Sequence, residues 1–282
     1  TQALSAPYDI SLRGVGRPKS LSLEDEAAKR YRALGNELAL ALSPRPLAPA
    51  ETLGINGFEF SFTTSATSIS ADEKFWQGQP GTPVFEGVSN GGGVPGVLWN
   101  PGVHVRKGLP MSMELGFSGS YLTQSGMFML GVEYKIAWFE SFWRWVPALA
   151  TRVSVARLFG ASDLDVITAE GDLLTSLPIG VAGTVVFTPY LGYGQLFAHL
   201  NSQVLDETPY IVRDFDKDQR GGSAGSLYNF ATVPILDNAH TRLIAGLRLN
   251  IAFLELIGEV NYLLVSKGGD LLSVSMKLGF DV

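Results

Sequence analysis

The stretch FMLGVEYKIAW, residues 128–138, places Phe128, Leu130, Val132, Tyr134, Ile136 and Trp138 at every second position. Met129, Gly131, Glu133, Lys135 and Ala137 lie between them. Successive side chains of a β-strand point to opposite faces, so this run has one wholly apolar face and one face that carries both charges. The same alternation recurs in Phe58, Phe60 and Phe62 against Glu59, Ser61 and Thr63, and in Met113, Leu115 and Phe117 against Glu114, Gly116 and Ser118. It returns in Leu243, Ala245, Leu247, Leu249 and Ile251, and again in Leu272, Val274, Met276, Leu278 and Phe280.

Working outward, the pattern predicts about ten strands (8 to 12 are compatible with it), near residues 54–66, 96–107, 111–122, 126–138, 148–159, 163–174, 183–200, 240–252, 255–266 and 270–282. Each is longer than the ~5–6 residues of an ordinary strand, and tilted membrane strands need about 9–11 residues to cross the apolar layer. The fifth is the weakest, because Arg152 and Arg157 fall on opposite faces and the segment also reads as helix.

Composition agrees. The chain of 282 residues is 46% hydrophobic but only 17% charged, with mean hydropathy +0.17. A disordered chain has the opposite balance. No run of about 18 apolar residues marks a membrane helix, which leaves a closed β-barrel as the other structure that satisfies its backbone in lipid. A net charge of −6 gives no basic footprint for nucleic acid. The absence of Cys removes thiol chemistry and disulfides, and three His are too few for a His-rich metal site. No cofactor and no metal are expected.

Residues 1–50 read differently. Leu23, Ala27, Tyr31, Leu34, Leu38 and Leu42 recur at helical spacing, predicting an amphipathic helix over 21–43, capped by Ser22 with Asp25 three residues on. Ser43, Pro44, Pro46 and Pro49 end it. Such a helix either packs on the rim of its own protein or lies on a membrane surface or partner. The expectation is a periplasmic extension (1–50) followed by a barrel (51–282). The long connections, 67–95 and 201–239, follow the first and seventh strands, so both emerge at one end, as external loops do in outer-membrane barrels.

The chain ends Lys277, Leu278, Gly279, Phe280, Asp281, Val282. A polar residue followed by Gly279, Phe280 and Val282 is similar to the C-terminal signal by which outer-membrane barrels are recognised for assembly, although a terminal Phe is commoner. With the strand pattern and the segment FTPYLGYG at 187–194, the chain resembles Gram-negative outer-membrane β-barrel proteins as an architectural class. The resemblance implies an outer-membrane location, contact with lipid and lipopolysaccharide, and handling by the barrel-assembly machinery. Another envelope protein is the expected partner, through the helix or through the aromatic turn Trp138, Phe142, Trp143 and Trp145, which reads as an interfacial girdle or as a small apolar core under a loop.

The inward faces would gather Glu59, His104, Arg106, Glu114, Glu133, Lys135, Arg152, Glu170, Asp172, Arg248, Glu259 and Lys277, with Asn250 and Asn261. Acids and bases mix in a barrel little wider than the eight-stranded kind that side chains fill, so the expectation is a lumen plugged by a salt-bridge network. A narrow channel is the alternative, and a soluble ligand-binding β-protein a third. A hydrolase would need a rim site, and His199, His240, Asp206, Glu207 and Asp237 are the best constellation, but none of the sequence signatures of the barrel hydrolases is recognised with them. Asp214, Asp216 and Asp218 begin like a calcium loop that Gln219 and Gly225 break, and Asn90–Gly93 lacks the Lys-Ser/Thr and helix of a phosphate cradle.

Overall fold

The computed structural model describes residues 6–79, 81–85, 93–140, 146–182, 185–206, 227–265 and 269–281. Ten strands form its wall: β1 Phe58–Ser68, β2 Val97–Leu109, β3 Met113–Tyr121, β4 Phe128–Phe139, β5 Ala148–Phe159, β6 Leu164–Ser176, β7 Val185–Ser202, β8 Ala239–Ile251, β9 Leu254–Leu264 and β10 Leu271–Asp281. Each pairs antiparallel with its neighbours in sequence, and β1 closes on β10 with Phe60 opposite Phe280 and Thr67 opposite Ser273. The result is an up-and-down barrel with no free edge, the arrangement that leaves no unpaired strand backbone facing lipid.

Alternation sets the faces. In β10 the odd-numbered residues from 271 to 279 are buried and the even-numbered ones, Leu272 to Phe280, are exposed. β5 obeys the same rule, and its awkward arginines have separate reasons. Arg152 points inward, while Arg157 points outward and pairs with Asp165 at 3.1 Å beside the rim. The tight turn from β2 to β3 uses Met111 and Ser112 at φ of 61° and 54°, and the two-residue turn between β8 and β9 uses Ala252 at 55°. These lie at one end, with the connection after β6, where Ile179–Ala182 folds back on the start of β7. The long connections 69–96 and 203–238 share the opposite end, as strand parity predicts. The first carries the short helix α2, Lys74–Gln77.

The helix α1, Glu26–Leu42, starts later than predicted. Asp25, not Ser22, is its cap, accepting the Ala27 N–H at 2.9 Å, while the Ser22 carbonyl closes a separate turn before it. Desolvation pushes the Asp25 carboxyl up, but backbone N–H groups of Ala27 and Lys19 outweigh it and hold the group below its ordinary value. At the other end Pro44 has no N–H to continue the ladder.

The helix does not form an extension beside the short turns. Its apolar stripe is buried in the barrel mouth at the long-loop end, where Tyr31, Leu34, Leu38 and Leu42 are among the most buried side chains of the molecule. The Tyr31 ring stacks on Phe230 at 4.6 Å, and Gly35 lets the helix approach Leu200 of β7. The expectation of a separate periplasmic helix is thereby corrected. A surface helix and a mouth plug have the same periodicity, because each buries one stripe.

From Ser43 the chain runs down through the lumen to β1. Pro44 meets Arg242 and Leu47 meets Glu259. Ala50 meets Ser176 and Leu53 meets Glu114 near the short turns. Above this segment lies a large apolar cluster around α1, and Leu47 and Ala50 of the segment itself join a smaller one with Ala148, Leu174, Tyr190, Ile244 and others.

Candidate functional site in the ion-paired lumen

Inward-facing charges on adjacent strands meet because strand register sets them side by side. β1 and β2 place Glu59 opposite Arg106, β3 and β4 place Glu114 opposite Lys135, and β5 and β6 place Arg152 opposite Asp172. Two ionic clusters result.

In the lower cluster, nearer the short turns, Arg106 bridges Glu59 and Glu114, with Nη1 at 2.8 Å from Glu114. Lys277 joins Glu59 at 2.6 Å to Glu255 at 2.5 Å, and Lys135 reaches Glu114 at 3.2 Å. Arg248 pairs with Glu51 of the threaded segment at 2.9 Å. In the upper cluster, Glu133 accepts from Arg152 Nε at 2.7 Å and faces His104 Nε2 at 3.0 Å. Arg152 also meets Asp172 at 2.5 Å, and Arg242 meets Glu170 at 2.8 Å and Asp172 at 3.0 Å. Arg242 reaches Asp172 past Gly194 of β7, where a β-carbon would run into the Asp172 carboxylate.

The same charges grip the threaded segment by its backbone. Lys135 Nζ donates to the carbonyls of Pro49 at 3.2 Å and Glu51 at 2.9 Å, and Arg242 donates to that of Pro44 at 3.2 Å. The Glu259 carboxylate accepts the Leu47 N–H at 3.0 Å. A buried ion pair contributes little net stability by itself, because desolvation offsets the attraction; the second set of hydrogen bonds moves the balance toward the folded state. A cavity of about 40 Å³ lies between residues 42–47 and the inner wall of β1, β2 and β3. That volume suits a water or two, not a solute path.

Of the residues expected in the lumen, all twelve lie on the inward face; eleven are buried and Arg248 is nearly so. Glu259 departs from expectation: among the described residues it makes no ion pair, and it is satisfied instead by Leu47, Asn261 and the Tyr190 hydroxyl at 2.7 Å. Arg242 and Glu255, which complete the clusters, were legible by parity alone, two places from Ile244 and Ile257. Glu51, Glu37 and Arg45 were not, since nothing in a helical or Pro-rich period says that a segment enters a barrel. Glu37 is buried and accepts from the Ser70 N–H and from Trp76 Nε1 at 2.7 Å, tying α1 to the first long connection. Arg45 donates to Leu40 O, Ser43 Oγ and Thr67 Oγ1.

Among the described residues the hydrolase constellation is not assembled. His240 points inward and is buried without a hydrogen-bond partner among the described residues, Asp237 is exposed, and His199 lies on the other face of the wall. Glu207, the three Asp of the calcium-like stretch and Asn90–Gly92 lie outside the described residues, as do Phe142, Trp143, Trp145 and Val282. Trp138 is 60% exposed at the short-turn rim, donating to Thr151 Oγ1 at 2.9 Å. Gly279 faces inward and Phe280 outward in the closing strand.

Many of the exposed aromatics form two rows on the outer wall. Trp99, Tyr121, Phe128, Phe159 and Tyr262 lie toward the long loops, and Phe58, Trp138, Phe139, Phe253 and Phe280 lie toward the short turns. Between them the surface is apolar, with Phe62, Phe117, Val132, Val155, Val260, Val274 and Met276 exposed. A closed antiparallel barrel with an apolar belt between aromatic girdles and a polar interior is a membrane-spanning β-barrel of the outer-membrane type. No family model matches the chain, and no curated protein matches it. Among solved structures it is similar to the N-terminal β-barrel domain of Pseudomonas aeruginosa OprF, at 12% identity over 81% of this chain and 99% of that one, with TM-score 0.31. Neisserial surface protein A is 11% identical over 80% and 96%, with TM-score 0.32. The translocator domain of autotransporter NalP from Neisseria meningitidis is 13% identical over 80% and 88%, with TM-score 0.33. The class assignment rests on the closure and faces of the barrel itself.

Proposed function

We propose that this chain is an integral protein of the Gram-negative outer membrane that does not conduct and does not catalyse, and that serves the envelope as a structural or partner-binding barrel. The single observation that carries the reading is the occupied lumen: α1 fills the mouth, residues 43–53 fill the bore, and the charges that would line a pore are spent on one another and on that segment. The long loops and the cap formed by residues 6–42 then face the exterior, and partner contact belongs to that surface or to the aromatic turn after β4. The apolar stripe of α1, expected to recruit a partner, is used within the fold. Lipopolysaccharide around the outer row of aromatics and delivery by the barrel-assembly machinery complete the setting.

Planar-bilayer recording of the purified full chain tests this. The expectation is an unbroken baseline. Reproducible discrete conductance steps that shrink on neutralising Arg106 or Arg248 would replace the plugged barrel with a channel.

A further inference from the structure

The cap holds a feature that the closed lumen does not use. A surface cavity of about 370 Å³ lies between residues 16–19 and the first turns of α1, with Gln79 on its remaining side. Arg17, Lys19 and Arg30 bring three cations to it. Asp25 and Glu26 also line it, but both are engaged. Asp25 accepts the N–H groups of Ala27 at 2.9 Å and Lys19 at 3.2 Å, and Glu26 lies 3.6 Å from Lys29 Nζ, which also faces Glu24. Neither Lys19 nor Arg30 makes an ion pair among the described residues, whereas Arg17 has other contacts, including one with the Tyr228 ring.

The backbone is shaped to keep these groups together. Gly16 sits at φ 96°, and a β-carbon there would collide with Gln79 Nε2 and come within 4.0 Å of Arg30 Nη1. Glycine therefore lets the Gln79 amide close on the space that the Arg30 guanidinium also borders. The positive end of a 17-residue helix adds to the field.

We propose that this cavity binds a phosphate monoester carried on a sugar. Lys19 and Arg30 contact its oxygens, and Gln79 donates through its amide. A doubly charged oxoanion gains more from convergent cations than a carboxylate does, and the arginine fork matches phosphate geometry. The volume lies within the range of small-ligand sites, leaving room for the sugar that bears the phosphate. The shared chemistry is found in the phosphorylated glucosamine of an outer-leaflet lipid headgroup and in a soluble sugar phosphate.

The test uses the full chain in phosphatidylcholine nanodiscs, titrated calorimetrically with glucosamine 1-phosphate. Saturable binding is expected, weakened at least about tenfold in Lys19→Gln/Arg30→Gln. It should be unchanged in Lys107→Gln at the opposite end, with the heat-dependent gel shift of the barrel retained in all three. Repeating the titration with lipopolysaccharide in the disc separates the sources: competition assigns the lipid headgroup, and an unaltered isotherm assigns the soluble sugar phosphate. Absence of saturable heat at millimolar ligand, or equal affinity in the double variant, would overturn the proposal.

Discussion

Arg152→Met isolates the weight of the upper cluster. Arg152 is buried and bonds to Glu133 at 2.7 Å, Asp172 at 2.5 Å and Glu170 at 3.4 Å. Methionine has similar reach and no charge, so packing is largely kept while three carboxylates are left with Arg242 as their cationic partner and the His104 ring beside Glu133. Removing one member of a buried ionic cluster costs about 3–5 kcal/mol, because the surviving charges remain desolvated without compensation. Removing a second member of opposite sign returns part of that cost. Glu133→Gln in the Arg152→Met background should therefore be less damaging than the sum of the single variants, with a coupling of about 1–3 kcal/mol. Urea unfolding from lipid vesicles, followed by tryptophan fluorescence, reads all four corners of the cycle. A loss below about 1 kcal/mol for Arg152→Met, with additive effects in the double variant, would show that water reaches the cluster and that the lumen is not dry.

The remaining expectations concern the plug. Tyr31→Ala should cost about 3–5 kcal/mol by opening a cavity against Phe230, whereas Tyr31→Phe should be nearly neutral because the hydroxyl has no hydrogen-bond partner among the described residues; urea midpoints of the two variants check this. Gly194→Val should displace the Asp172 carboxylate from Arg242 and cost about 1–3 kcal/mol, again by urea unfolding. The Asp25 carboxyl is held below its ordinary value in the folded chain, so its cap stabilises α1 above the unfolded value and the effect is lost as pH falls through the folded one. Limited proteolysis of residues 6–25 should accelerate in acid in the parent, and Asp25→Ala should be cut at the faster rate already at neutral pH.

What the sequence made legible follows from the physics of each element. The wall was readable because lipid outside and charge inside enforce a strict period of two, and even β5 falls into line once Arg157 is placed at the rim. Strand ends were less so: β1 begins at Phe58 because residues 54–57 turn with Gly54 at φ 75°, which hydropathy does not report. The helix was visible but its address was not, since Leu34 and Leu38 would be buried equally well on a rim, a membrane or a mouth. The lumen contacts of Pro44, Leu47 and Ala50 are made by backbone atoms, which leave no mark in side-chain pattern. Arg242 and Glu255 sit at inward parity near strand ends, where apolar neighbours draw less attention to them.

Residues 43–53 pass through the barrel, held to its inner wall by backbone hydrogen bonds. The backbone N–H of Ala50 donates to Ser176 Oγ on the inner wall at 3.0 Å, and the chain has no native Cys to interfere. Ala50→Cys/Ser176→Cys should cross-link under mild oxidation in the folded protein and stay inaccessible to a membrane-impermeant maleimide when reduced. Two freely labelled thiols that fail to cross-link would place the segment outside the barrel and contradict the plugged lumen.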